Sequence, residues 1–178
     1  MTDNPNSPII LTRPEQPALF PAIEQVHLAA FGQPQEAALV AKLRQDAAYQ
    51  AKLNIMALYD GQVVGHVAFS RAQVIQAPQL ACLGLGPLGV LPDYQGQGIG
   101  SALVYEGLEV CRKAKIALVV VFGSFDYYRR FGFRLASDFG LTSKFDPDGT
   151  HFMALPLHAE ALLGVHGAVE YHPAFDEV

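Results

Sequence analysis

One stretch of this chain constrains its fold more than any other: an apolar run that stops at a proline, passes through alternate glycines and turns directly into a helical pattern. In Leu85–Gly107, LGPLGVLPDYQGQGIGSALVYEG, the run ends at Pro92 and Gly96, Gly98 and Gly100 follow at every second position. The order is strand, loop of bare backbone, helix N-terminus. The first N–H groups of a helix have no acceptor within it, and the aligned peptide dipoles leave partial positive charge there. A loop and helix end of this kind hold an anion, most usefully a phosphate or pyrophosphate. The sequence thus points to a phosphate-bearing ligand lodged between a strand and a helix.

The flanking segments fit such a site. The strand candidate Leu80–Leu91 contains Gly84, Gly86, Pro87 and Gly89. Pro87 has no N–H to give a ladder, so this strand is predicted to be irregular or unpaired on one side near its end. The helix predicted over Ile99–Ala114 carries Ile99, Ala102, Leu103, Gly107, Val110, Cys111 and Ala114 on one stripe, with Glu106, Glu109, Arg112 and Lys113 outside it. Ile116–Phe122, IALVVVF, is apolar throughout, as expected of a strand covered on both faces. Strand, helix and strand over 80–122 make a right-handed crossover candidate. Upstream, Ile9–Thr12 reads as a short strand, and Pro17–Tyr49 as two helices hinged near Gly32-Gln33-Pro34. Asn54–Tyr59 and Val63–Ser70 read as a hairpin closed by Asp60-Gly61. His151–Leu157 is the last strand candidate, and the remainder reads as loop.

Composition narrows the class. A chain of 178 residues, 51% hydrophobic and 16% charged, suits one compact domain over residues 1–178. A net charge of −5 offers no broad basic face, so nucleic acid is not an expected partner. Cys82 and Cys111 lack metal or CxxC spacing and read as a buried, reduced pair, which suits the cytoplasm. No signal peptide is apparent in MTDNPNSPII, and no apolar run is long enough to span a bilayer, so a soluble cytoplasmic protein without membrane contact is expected. The histidines show no metal-site pairing, so no metal is expected.

Two glycine patterns compete for the ligand. Gly84–Gly89 spells the dinucleotide fingerprint GxGxxG, but Pro92 and a further loop follow where a helix should begin. Gln95-Gly96-Gln97-Gly98-Ile99-Gly100 lies in the right context. No Lys-Ser or Lys-Thr follows Gly100, which excludes a P-loop. Backbone cradling of a pyrophosphate without a metal fits.

These residues resemble the acyl-coenzyme A signature of the GNAT superfamily of N-acetyltransferases, Q/R-x-x-G-x-G/A, met by Gln95, Gly98 and Gly100. LGPLGVLP before it, YYRRFGF at Tyr127–Phe133 after it, and the C-terminal FMALPL and YHPAF segments are most similar to the bacterial YhbS-like branch. The resemblance implies an α/β (α+β) fold: a mixed, mostly antiparallel sheet of six to seven strands flanked by helices. It implies that strands 80–91 and 116–122 splay apart to admit pantetheine. Leu88 and Val90 would pair with its amides, Gly89 would leave open space, and the N–H groups of Gln95, Gly96, Gln97, Gly98, Ile99, Gly100 and Ser101 would hold the pyrophosphate. The implied cosubstrate is acetyl-CoA.

For the chemistry, the resemblance implies acetyl transfer to a primary amine by direct transfer in a ternary complex, with Tyr128, in the Tyr-x-x-x-Gly-Phe register, as the acid that protonates the leaving thiolate. A phenol of pKa about 10 stays protonated at neutral pH and can donate to a thiolate whose acid has a pKa of about 8.5. An alkylamine of pKa about 10.4 is neutral in only about one molecule in 2,500 at pH 7, so deprotonation matters more. Strand 80–91 lacks the carboxylate that many relatives use for this. His66, Asp126 and a water chain held by backbone carbonyls are the substitutes in view, and His66, in a strand pattern, reads as structural in preference to catalytic. Arg129 and Arg130 read as solvating a helix in preference to contacting the coenzyme's phosphates, and Tyr127, the neighbouring alternative to Tyr128, does not fit the Tyr-x-x-x-Gly-Phe register. A catalytically silent acyl-CoA-binding sensor or assembly module is the rival reading. The tail Tyr171–Val178 is expected to cover the acceptor groove or to dock on a second copy in a homodimer.

Overall fold

A computed structural model describes residues 10–177. Residues 1–9, which include Ile9 and most of the segment read for a signal peptide, lie outside the described residues, as does Val178. Strand β1 (Ile10–Pro14) pairs antiparallel with β2 (Ile55–Tyr59), and β2 with β3 (Gln62–Val74). The intervening turn holds Asp60 and Gly61 at φ of 48° and 82°, the left-handed pair that a tight hairpin demands. Between β1 and β2 run α1 (Phe20–Phe31) and α2 (Gln35–Leu43). They bury Ile23, Val26 and His27, and Ala37, Leu39, Val40 and Leu43. Helix ends at Leu43 rather than Tyr49, and the chain then turns toward the sheet.

β4 (Cys82–Val90) pairs antiparallel with β3 and parallel with β5 (Leu118–Phe122), the two parallel strands being joined through α3 (Ile99–Lys113). β5 is covered on both faces, as its composition requires. Val119 and Val121 enter the cluster beneath α3, whereas Leu118 and Val120 enter the cluster on the opposite face. Ala114, expected on the buried stripe of the helix, is instead exposed beyond its last residue. Then come a short helix, α4 (Phe125–Tyr128), and strands β6 (Arg134–Leu135), β7 (Leu141–Thr142), β8 (Phe152–Pro156) and β9 (Gly167–Tyr171). The order is β1-β2-β3-β4-β5-β8-β6, with β9 pairing both β3 and β7.

The fold is thus the mixed, mostly antiparallel sheet expected, but with nine strands among the described residues rather than six or seven. β6 and β7 are two residues long, too short for periodicity to register. β9 corrects the reading of the C-terminal part as loop: it lies along the second half of β3, Ala72 opposite Tyr171 and Val74 opposite Val169. That support explains why β3 continues four residues past Ser70, to Val74.

Candidate active site

The register of β4 creates the site. Val67 of β3 faces Leu88 and Phe69 faces Leu85, so Gly86 and Pro87 bulge where β3 offers only Ala68. Pairing of β4 with β5 stops at Leu85 opposite Val121. Beyond that point the strands part, and the edge of β4 from Gly86 to Val90 faces β5 without a ladder. Leu88 and Val90 point toward the α3 face. Gly89 points the other way, where an added Cβ would come 3.0 Å from His27 Nδ1.

The free edge leads into the N-terminus of α3. Gly98 caps this helix at φ 83°, a conformation in which a side chain is strained, and no side chain caps the first turn. The first-turn N–H groups are therefore left for a ligand. Arg112 and Lys113 sit in the last turn, where cations suit the helix dipole. Gln95 donates through Nε2 to the Val90 carbonyl at 3.0 Å, and Gln97 to the Asp93 carbonyl at 3.1 Å. Both glutamine side chains thus brace the loop and leave its backbone to face outward.

A cleft of about 350 Å³ runs along these elements. Of the residues singled out from sequence, Leu88, Val90, Gln95, Gly96, Gly98, Ile99, Gly100 and Ser101 line it; Gly89 and Gln97 do not. Tyr127 and Arg130 line it as well. The guanidinium of Arg130 lies 4.7 Å from the Tyr127 ring centroid, and an added Cβ on Gly100 would stand 2.9 Å from the Tyr127 hydroxyl. Arg130 therefore does more than solvate α4, whereas Arg129 pairs at 3.6 Å with the exposed Asp126. Burial raises the Tyr127 phenol, and hydrogen bonding with Ser101 and the Arg130 charge pull against that rise.

Tyr128 does not line the cleft. Its ring packs on Gly123, just past the end of β5, and on Phe133 at 5.7 Å between centroids. It belongs to the core cluster that also contains Leu85 and Val121, the last pair before the strands part. Burial, reinforced by Tyr127, pushes its phenol above the usual tyrosine range, so it keeps its proton at neutral pH.

His66 is fully buried. Its Nδ1 lies 2.9 Å from His27 Nε2, and its Nε2 lies 3.0 Å from Glu15 Oε2. Arg44 and Tyr49 hold the same Glu15 carboxylate. This interior network does not open on the cleft. Among the described residues no group of three His, Cys, Asp or Glu is placed to hold a metal ion, and no helix is long and apolar enough to cross a membrane. Cys82 and Cys111 are free and buried, each thiol pushed up to about 12 by burial.

A strand edge opened by a bulge and running into an uncapped helix end marks a family of folds, and sequence comparison agrees. The profile of the acetyltransferase (GNAT) family matches residues 20–133. The uncharacterized N-acetyltransferase YhbS of Escherichia coli K12 is 39% identical over 168 residues, 94% of this chain and 99% of that protein. The crystal structure of E. coli YhbS in complex with CoA superposes with a TM-score of 0.91 at 38% identity, covering 98% of this chain and 96% of that one. A GNAT family acetyltransferase from Brucella melitensis in complex with acetyl-CoA gives a TM-score of 0.77 at 36% identity, covering 94% and 99%. The chain belongs to the GNAT family of acetyltransferases.

Proposed function

We propose that this protein transfers the acetyl group of acetyl-CoA to a primary amine by direct attack in a ternary complex. The observation that carries the reading is the parting of β4 from β5 after Leu85, which leaves a free strand edge running into the uncapped N-terminus of α3. Pantetheine would lie along Leu88 and Val90 as an added strand. The pyrophosphate would meet the N–H groups of Gln95–Ser101, with Arg130 beside it. Relatives crystallised with CoA and with acetyl-CoA support this choice of cosubstrate.

The amine, its ammonium proton released to water, attacks the thioester carbonyl; a C–N bond forms, the C–S bond breaks, and the proton that the nitrogen then sheds replaces the one that Tyr128 gives up. Tyr128 gives its proton to the departing thiolate. Its place beside the point where the strands part favours that role; burial keeps the phenol protonated at neutral pH, while the same rise makes it a weaker donor than a free tyrosine. Two buried free thiols accord with action in the cytoplasm.

Calorimetric titration with acetyl-CoA, desulfo-CoA and NAD tests the site. Binding of both coenzyme A forms and none of NAD is expected; no binding of either form removes the reading. Initial rates varied in both substrates should give intersecting lines, and parallel lines would indicate a covalent intermediate. Binding of acetyl-CoA without amine-dependent thiol release would instead assign the chain as a silent acyl-CoA module.

A further inference from the structure

Over the point where β4 and β5 part, on the face of the sheet opposite α3, lies a second cleft of about 460 Å³. Leu85, Gly86 and Pro87 line it, so along β4 it ends one residue before Leu88, where the first cleft starts. Its walls are rings: Phe31 from the end of α1, Phe122 from the end of β5, Phe145, Tyr171 of β9 and Phe175. Phe31, Phe122 and Phe145 are 38%, 50% and 36% exposed, and exposed rings converging on one cavity mark a binding surface rather than a core. Glu36 supplies the one formally charged side chain of the lining, its two oxygens accepting from Gln33 Nε2 at 2.9 and 3.1 Å.

The deep wall is specified by a close approach. A Cβ on Gly84 would fall 2.4 Å from Tyr171 Cε1, so glycine at 84 is the condition for seating that ring under β4. The Tyr171 hydroxyl is buried and has no hydrogen-bond partner among the described residues. A cleft with flat walls and a single carboxylate has a partner for one ammonium and apolar faces for the rest of the molecule; the further charges of a polyamine, or the flexible stem of a lysine, would cover those faces less well than a ring.

Resting on the acetyltransferase reading above, we propose that this cleft is the acceptor site and selects a primary amine attached to a flat aromatic body, an arylalkylamine. The ring lies among Phe31, Phe122 and Phe145, and the ammonium is drawn in by Glu36. Rings attract both an aromatic face and a cation, so walls and carboxylate favour the same molecule. Glu36 acts as a specificity residue: it pairs with the ammonium on entry.

The test compares initial rates of thiol release from acetyl-CoA with 2-phenylethylamine and tryptamine against spermidine, Nα-acetyl-lysine amide and an alanine-led tripeptide. The aromatic amines should exceed the others by about tenfold or more in kcat/KM. Phe145→Ala should lower that value for 2-phenylethylamine by about tenfold while leaving coenzyme affinity unchanged. Glu36→Gln should raise KM with little change in kcat. Preference for spermidine, the lysine analogue or the tripeptide, equal rates for all, or an indifferent Phe145→Ala overturns the proposal. If no amine turns over, binding of 2-phenylethylamine to the acetyl-CoA-loaded protein decides by NMR, and absence of shifts at the cleft overturns it. Calorimetry on the same preparation separates the two readings: failed coenzyme binding removes both, whereas intact binding without aromatic selectivity removes only this one.

Discussion

His27 is fully buried between Gly89 and His66, and its Nδ1 has no hydrogen-bond partner among the described residues. Burial holds its pKa down, from 6.5 to about 3, with the neighbouring His66 and Arg44 acting in the same direction. Burial also lowers His66, against the pull of Glu15. The unfolded chain therefore binds protons below pH 6.5 that the folded chain refuses, and stability falls as pH drops from 6.5 toward 3. For His27 the slope is about 1.4 kcal/mol per pH unit. Burial alone would raise Glu15, but His66, Arg44 and Tyr49 hold it at about 2 against 4.5, so its contribution is present above pH 4.5 and lost between 4.5 and 2. Urea midpoints should be level from pH 8 to 7, fall below 6.5 and steepen below 4.5. His27→Gln should be less stable at pH 7.5 yet show a shallower slope, and a wild type flat from pH 6.5 to 5 would contradict this account. His66 was legible as a buried strand residue, but its partners at positions 15 and 27 are 51 and 39 residues away, beyond any spacing argument. Tyr128 carries a different expectation. Tyr128→Phe should lower kcat by about a hundredfold with coenzyme affinity unchanged, and a fully active variant would remove its acid role.

At the scale of elements, α3 carries both the proposed pyrophosphate site and a close helix–sheet approach. A Cβ on Gly107 would stand 2.3 Å from Cε2 of Phe69, whose ring is buried in β3, so helix and sheet approach through this glycine. Gly107→Ala should cost about 1–3 kcal/mol in urea unfolding, because neither neighbour can move aside without disturbing the core. Gly98→Asp acts at the helix's other end, adding strain at φ 83° and a negative charge against the proposed pyrophosphate; calorimetry should show acetyl-CoA binding weakened by more than about tenfold. α3, β5 and the hairpin were legible because each declares itself locally, through a stripe, an apolar run or an Asp-Gly turn. The bulged edge of β4 was legible from Pro87. β9 was not, since GAVEY buries only Val169 and owes its extended form to β3, far away in sequence. The same distance hid the aromatic cleft, whose rings come from α1, β5, β9 and the segments around Phe145 and Phe175.

Across the whole molecule, the sheet separates two tasks. The cleft proposed for the pyrophosphate lies on the α3 face, the aromatic cleft lies on the α1/α2 face, and they approach each other where β4 leaves β5. The C-terminal segment belongs to the second task. Pro173–Glu177 forms a short helical turn that buries Ala174 against Leu39, Val40 and Leu43 and sets Phe175 in the cleft wall. It is held by ion pairs from Lys42 to Glu177 and, at 2.6 Å, from Lys144 to Asp176; both are exposed and contribute little beyond placement. Apolar packing is then the main attachment, and ending the chain after Tyr171 should leave β9 and the coenzyme side intact. The truncated protein should bind acetyl-CoA as the full chain does, while KM for 2-phenylethylamine rises by about tenfold with the loss of one ring wall. A segment that instead served to join two copies would leave KM in place and halve the mass seen by light scattering. The ratio of those two effects assigns the segment to the acceptor cleft or to an interface.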